Sequence, residues 1–181
     1  MKDVTEASFN DVITPARIQY IIPIWQRTYS WEYQQWKDLW EDIMDLNEKL
    51  KNGEIAQHFM GPIVLKTQEQ KVGGITRLVL IDGQQRLTTL LILCALIRDK
   101  AKAPPSNTNL ITEIEGVFLF NGHAKKTEDK PKLCPTEADA KVFDLIMNGQ
   151  PLSENDSSQL RAAYSFFESA FKNDNTKFDL D

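Results

Sequence analysis

Hydrophobic residues follow two different spacings along this chain, and stretches with the two spacings alternate. Short apolar runs that predict strands occupy Arg17–Ile24, His58–Lys66 and Arg77–Ile81. Elsewhere the apolar residues recur every three or four positions, as they do on one face of a helix. The alternation predicts an α/β (α+β) fold.

The first long helix is predicted between Ser30, a candidate N-cap, and Gly53, where the helical pattern ends. Trp36, Trp40 and Leu50 recur at helical steps, and charged residues fill many of the positions between them. Such a helix has about five turns. The two tryptophans are therefore predicted to be core residues.

A β-hairpin is predicted from the second and third strands, because the polar segment between them contains Gly73-Gly74. The third strand leads directly into a loop, and a second long helix is predicted from about Gln84 to Lys100. The segment APPSN at positions 103–107 then interrupts the pattern and is the best candidate for a linker.

The C-terminal part of the pattern is less regular. A short helix interrupted by Gly116 is predicted within Asn109–Phe120, and His123–Lys132 is predicted to be a charged loop. Further helices are predicted from Pro135-Thr136-Glu137 through Met147, ended by Gly149, and over Ser157–Phe171. The apolar stripe of the last helix needs a partner, either the preceding helix or a region beyond this sequence, and we expect the chain to be part of a longer protein.

Composition narrows the range of functions. The 181 residues are 41% hydrophobic and 26% charged, as in an ordinary globular protein. The formal net charge of −5 argues against a surface that holds nucleic acid through phosphate contacts everywhere. Cys94 and Cys134 are far apart in the sequence, and Cys94 stands in an apolar helical run as a small core residue, so we expect a reducing compartment. Because no segment resembles a signal core or a membrane span, we expect a cytoplasmic protein.

The strongest candidate site is the sequence DGQQR, which follows the third strand and opens the second long helix. Such a junction presents unpaired backbone N–H groups and the positive end of a helix dipole, which favour an anion. Gly83 allows a ligand to approach the backbone, and Arg86 offers a guanidinium to phosphate or carboxylate. Gln84 and Gln85 add neutral donors and acceptors. Asp82 could orient the arginine, hold Mg²⁺ or activate water.

The same loop also has a structural explanation, in which Asp82 caps the helix and the following polar side chains are solvated. A second junction favours a function, because PIWQRTYSW places Gln26 and Arg27 between a strand and a helix. Tyr29 and Trp31 follow in the same loop, where large aromatic side chains are unusual. Two strand-to-helix junctions that each carry a Gln-Arg pair would suit a polyanionic ligand.

Several familiar motifs are absent from the sequence. It contains neither G-x-x-x-x-G-K-[ST] nor G-x-G-x-x-G, which excludes a P-loop site and the usual dinucleotide site. His58 and His123 are not spaced with cysteines or carboxylates as metal ligands are. No serine or cysteine stands in a recognisable nucleophile elbow.

Three segments carry a family resemblance: IPIWQRTYSW at Ile22–Trp31, GPIVL at Gly61–Leu65 and LIDGQQRLTTL at Leu80–Leu90. In this order and spacing they resemble the N-terminal domain of GmrSD-type modification-dependent restriction endonucleases. The resemblance implies a ParB/sulfiredoxin-like domain with a small mixed sheet and packed helices over residues 1–102. A helical extension over residues 103–181 would follow.

The resemblance also implies a chemistry, because family members bind and hydrolyse nucleoside triphosphates to regulate DNA cleavage in anti-phage defence. By matching position it assigns a nucleotide site, for GTP or ATP with Mg²⁺, that consists of Gln26, Arg27, Asp82, Gly83, Gln84, Gln85, Arg86 and Thr88. Within this set it implies catalytic roles for Asp82, Gln85 and Arg86, with Asp82 as the candidate Mg²⁺ ligand. Tyr29 and Trp31 are candidates for stacking on a base or another ligand.

Two departures from the family pattern bear on function. Trp25 stands where a tyrosine-like residue usually precedes Gln-Arg. The C-terminal HNH-type nuclease region, expected in cis or in trans, is missing from this sequence, so this chain alone is not expected to cut DNA. We therefore predict that the chain is the NTP-binding and NTP-hydrolysing sensor module of a modification-dependent restriction endonuclease. Modified DNA would be bound mainly by the full-length protein, and the sequence leaves open whether the chain forms a homo-oligomer. A non-catalytic module that uses the same pocket for DNA or a partner protein is the alternative.

Overall fold

The computed structural model describes residues 4–69 and 74–173 and gives the chain an alternating order of helices and strands. The elements are α1 (Phe9–Ile13), β1 (Ile18–Ile21), α2 (Tyr33–Lys51), β2 (Val64–Glu69), β3 (Thr76–Asp82), α3 (Gln84–Ala101), α4 (Thr108–Glu113), a π-helical segment (Ile114–Leu119), a 3₁₀ turn (Thr127–Asp129), β4 (Leu133–Cys134), α5 (Glu137–Met147) and α6 (Gln159–Asn173). The predicted α/β (α+β) class, a small mixed sheet with packed helices, is confirmed. The finer ParB/sulfiredoxin-like assignment stays a prediction.

The described strands form one sheet in the order β2-β3-β1-β4. β1 runs parallel to both neighbours, with Tyr20 opposite Leu78 of β3 and Leu133 of β4. β2 and β3 pair antiparallel, which confirms the predicted hairpin. The predicted turn lies partly outside the described residues, which resume at Gly74. Since β1 and β3 are adjacent and parallel, their carboxyl ends lie side by side, and the loops that follow them leave the sheet next to each other.

Two local predictions about helix ends were wrong. α2 begins at Tyr33 with Glu32 as its N-cap, and the backbone N–H of Glu32 donates to Gln35 Oε1 at 2.9 Å, so Ser30 is not the cap. Gly116 does not interrupt its helix, because the backbone widens into a π-helical segment and stays helical to Leu119.

The core is one cluster of buried side chains to which the sheet and all the long helices contribute. Trp36 and Trp40 are buried as predicted, whereas Leu50 is 54% exposed. The last helix packs against α2, α3 and α5, so the partner of its apolar stripe includes the preceding helix. Phe167, for example, is fully buried and lies 6.2 Å from Trp40 between ring centroids. The division at residues 102 and 103 stays a prediction.

The buried side chain of Arg98, on α3, forms hydrogen bonds to the carboxyl end of α5. Arg98 has no exposed surface, and its Nη2 donates to the Ile146 carbonyl at 3.0 Å while Nη1 donates to the Met147 carbonyl. Its Nε donates to Asp99 Oδ1 at 3.0 Å, and the Tyr164 hydroxyl donates to the same carboxylate. A cation at the carboxyl end of a helix is favourable because the last carbonyls carry partial negative charge.

None of the described helices combines the length and the apolar character that crossing a membrane requires.

Candidate functional site

Gln26 joins the two Gln-Arg junctions at one edge of the sheet. Its side-chain Nε2 donates to the Ile81 carbonyl at the end of β3, at 3.0 Å. Its Oε1 accepts a hydrogen bond from Gln84 Nε2 at 3.1 Å. The loop after β1 and the start of α3 are therefore in direct contact, which brings together residues 58 positions apart.

The turn into α3 depends on Gly83, which is the N-cap and has a φ of +92°. A side chain there would be strained, and a Cβ would lie only 3.0 Å from Ile63 Cγ1. Asp82 Oδ1 accepts a hydrogen bond from the Gly83 N–H at 2.7 Å, and the aspartate remains exposed. The alternative in which Asp82 caps the helix and the polar side chains after it are solvated is therefore wrong in two respects. The cap is Gly83 rather than Asp82, and Gln84 is only 9% exposed.

Gln85 uses both ends of its amide to hold the loop before α2. Its Oε1 accepts from the backbone N–H of Ser30 at 2.8 Å, and its Nε2 donates to the Thr28 carbonyl at 3.2 Å. The side chain is 7% exposed. Since a side-chain amide has one carbonyl and one NH₂ group, this glutamine is largely committed to positioning the loop that carries Arg27.

Arg86 lies against a third segment, Gly61-Pro62, which was not predicted to belong to the site. Its Nη2 donates to the Pro62 carbonyl, and a Cβ built on Gly61 would lie 2.6 Å from its Nη1. Gly61 has a φ of +85°, so both its backbone and its lack of a side chain make room for the guanidinium. The Nε atom of Arg86 is buried and has no partner among the described residues. The predicted strand His58–Lys66 is wrong at its start, because β2 begins only at Val64 and leaves Gly61 and Pro62 in the preceding loop. The Gly-Pro pair is a sequence signal for such a loop.

The aromatic residues of the first loop are divided between core and surface. Tyr29 is 6% exposed, and its hydroxyl bonds to Thr89 Oγ1 at 2.7 Å and accepts from Trp36 Nε1 at 2.9 Å. Burial raises the pKa of Tyr29 to about 12. Trp31 is half-buried against the core. The ring that this loop presents to solvent is Trp25, which is 74% exposed.

The remaining predicted site residues differ in accessibility. Arg27 is exposed and has no ion-pair or hydrogen-bond partner among the described residues. Thr88 is 2% exposed, so it lies beneath the start of α3 rather than on the surface. Arg86 supplies positive charge in the first turn of α3, where the backbone also attracts anions. Arg27 directly follows Gln26, whose side chain bonds to Gln84 in that turn.

Within the described ranges 4–69 and 74–173, no three His, Cys, Asp or Glu side chains come together as a metal-binding group.

Comparison with protein families gives a match over residues 9–180 to the model described as "GmrSD restriction endonuclease, N-terminal domain". The match includes every residue of the candidate site. A search of curated proteins found no match.

Proposed function

This chain belongs to the family of GmrSD restriction endonuclease N-terminal domains, and on that premise we propose that it is the NTP-binding and NTP-hydrolysing regulatory module of a modification-dependent restriction endonuclease. The observation that carries the proposal is the contact of Gln26 with both Ile81 and Gln84. That contact brings the two Gln-Arg pairs together near the amino end of α3. There the guanidinium groups of Arg27 and Arg86 would neutralise the negative charges of successive phosphates.

The phosphates would lie on the backbone that follows Gly83. Unpaired N–H groups and the helix dipole favour an anion at this place. Arg86 is oriented by the Pro62 carbonyl, and its buried Nε still lacks an acceptor that a phosphate oxygen could provide. Arg27 would approach the same anion from the other junction. Removal of either guanidinium should therefore weaken nucleotide binding.

Asp82 fits a Mg²⁺ that accompanies the triphosphate. It is exposed, and one carboxylate oxygen bonds to the Gly83 N–H while the other has no partner among the described residues. A single carboxylate is sufficient, since protein Mg²⁺ sites commonly combine one or two carboxylates with substrate phosphates. A bound Mg²⁺ would neutralise charge on the phosphate oxygens. Because the Gln85 amide is committed to Ser30 and Thr28, we assign the orientation of the attacking water to Asp82 and a positioning role to Gln85.

The test is calorimetric titration of GTP and of ATP with Mg²⁺ into the wild-type chain, Arg86→Ala and Arg161→Ala. Arg161 lies on α6, outside the junction, and serves as the matched control. We expect one nucleotide to bind saturably, with affinity reduced at least about tenfold by Arg86→Ala and unchanged by Arg161→Ala. Equal affinity in the wild type and Arg86→Ala would contradict the site.

One observation favours the second candidate, a non-catalytic module that binds DNA or a partner protein through the same surface. Ile24 and Trp25 are 87% and 74% exposed and immediately precede the Gln26-Arg27 pair. An exposed aromatic beside an unpaired arginine suits stacking on a base together with a phosphate contact. A steep loss of DNA affinity with salt in this chain, without nucleotide binding, would support this candidate.

A further inference from the structure

A second concave site lies outside the Gln-Arg junctions. It is a cavity of about 120 Å³ between the loop that follows α1, the π-helical segment and the turn at residues 120–123. Ligand pockets for nucleotide-sized molecules usually enclose at least about 300 Å³, so this cavity would accept a small ion. π-helical turns occur frequently at functional sites.

Lys132 gives the cavity a buried positive charge. The residue is 2% exposed, and its Nζ donates to the Pro15 carbonyl at 2.9 Å. No carboxylate pairs with it among the described residues. An ammonium group has three donors, so hydrogen-bonding capacity remains after the single bond to Pro15. Burial lowers the pKa of Lys132, and an anion in the cavity would offset that cost.

Asn121 adds an acceptor that the fold leaves unused. The residue is 4% exposed, and its Nδ2 donates to the Asp129 carbonyl at 3.2 Å. Its Oδ1 is buried and has no donor among the described residues. Because buried acceptors are almost always paired, a ligand that satisfies Asn121 must itself carry a hydrogen-bond donor.

Arg17 provides a second cation at the same cavity. It is exposed, has no partner for its guanidinium among the described residues, and has a φ of +66°. A non-glycine residue in this conformation is strained, and such strain is concentrated at ligand sites. Its backbone carbonyl accepts from the Thr76 N–H at 2.7 Å, which fixes the residue to the amino end of β3.

We propose that this cavity binds a small tetrahedral oxyanion that carries an O–H group, of which hydrogen phosphate is the simplest. Its negative oxygens would accept hydrogen bonds from Lys132 and Arg17, and its O–H would donate to Asn121 Oδ1. The proposal uses no residue of the Gln-Arg junctions and does not depend on the proposed nucleotide function.

The test is an NMR titration of the ¹⁵N-labelled chain with inorganic phosphate at neutral pH, with ionic strength held constant by chloride. The reporters are the side-chain amide of Asn121 and the backbone amides of Gly116 and Gly122, which line the cavity. Arg17→Gly is the test variant, because it removes the guanidinium and also relieves the positive φ, so it should fold. Arg27→Ala, which removes an exposed arginine of the other site, is the control.

We expect saturable shifts at the three reporters, with affinity at least about tenfold weaker in Arg17→Gly and unchanged in Arg27→Ala. Absence of saturation at these reporters, or equal affinity in Arg17→Gly, would overturn the site. Sulfate has the same shape without the O–H group and should bind more weakly. Sulfate that binds as tightly as phosphate would overturn the assigned contact with Asn121.

Discussion

The Oε1 atom of Gln85 accepts a hydrogen bond from the backbone N–H of Ser30 at 2.8 Å, across 55 positions of the sequence. The same amide donates to the Thr28 carbonyl from its Nε2 atom. One side chain on α3 therefore fixes two backbone groups of the loop that carries Arg27, and the geometry of the candidate site depends on this contact.

Gln85→Ala should lower the free energy of unfolding by about 1–3 kcal/mol, because it leaves part-buried backbone groups without partners. Chemical denaturation measures this change. Gln34→Ala is the matched control, since Gln34 bonds to Asp38 on an exposed helix face, and its effect should be within about 0.5 kcal/mol. Equal effects of the two substitutions would contradict the positioning role of Gln85.

Gly61→Ala should reduce nucleotide affinity because a Cβ at this position collides with Nη1 of Arg86. The matched control is Gly53→Ala. Gly53 also has a positive φ, +76°, but nothing lies within 4 Å of its added Cβ. Both variants should lose about 1–2 kcal/mol of stability from the left-handed backbone, and calorimetry should show a loss of affinity in Gly61→Ala alone. Loss of affinity in both would mean that the contact with Arg86 is not the cause.

Asp82→Asn should preserve Mg²⁺-free nucleotide binding while slowing hydrolysis by about 10²–10⁴-fold, because it removes the carboxylate that we assign to Mg²⁺ and to the attacking water. The amide oxygen can still accept from the Gly83 N–H, so the turn into α3 is retained. Phosphate release under saturating nucleotide measures turnover, and a titration without Mg²⁺ measures affinity. Unchanged turnover at saturation would remove Asp82 from the catalytic assignment.

Arg98→Met should destabilise the fold by about 3–5 kcal/mol, because it leaves Asp99 and the last carbonyls of α5 without their buried cation. Thermal and chemical denaturation both measure the loss. Lys172→Met removes an exposed cation of α6 that pairs with Glu168 and should change stability by less than about 1 kcal/mol. A loss below about 1 kcal/mol in Arg98→Met would contradict this prediction, because packing of the methionine side chain would then compensate for the lost hydrogen bonds of Arg98.

Stability should fall between pH 10 and pH 12 because burial raises the pKa values of Tyr20 and Tyr29 to about 12. The folded state favours the neutral phenols, whereas phenols in the unfolded chain titrate near pH ~10. The contribution to stability is therefore complete below pH ~10 and is lost as the pH rises through about 12. Denaturation at a series of pH values measures the slope, which Tyr29→Phe should reduce. An unchanged slope in that variant would contradict the assignment to Tyr29.

Much of the secondary structure could be predicted because it depends on local spacing. The hairpin of β2 and β3 and the helix that begins at Gln84 are confirmed, since each rests on several consecutive residues with one period. β4 has only two residues and offers no period to detect. Ser30 was a reasonable N-cap by residue type, but α2 begins only at Tyr33, with Glu32 as its cap. The backbone N–H of Ser30 instead bonds to Gln85 of α3, a contact that local sequence does not reveal.

The sequence by itself determined the family, the strand-loop-helix form of the DGQQR segment and the residue types available for an anion, because each is encoded within a few adjacent positions. Only the tertiary structure decided which of these segments meet. The parallel pairing of β1 with β3 places Gln26 beside Gln84, and a left-handed Gly61 admits Arg86. Such contacts depend on strand order and on space made by distant residues, and neither leaves a periodic signal in the chain.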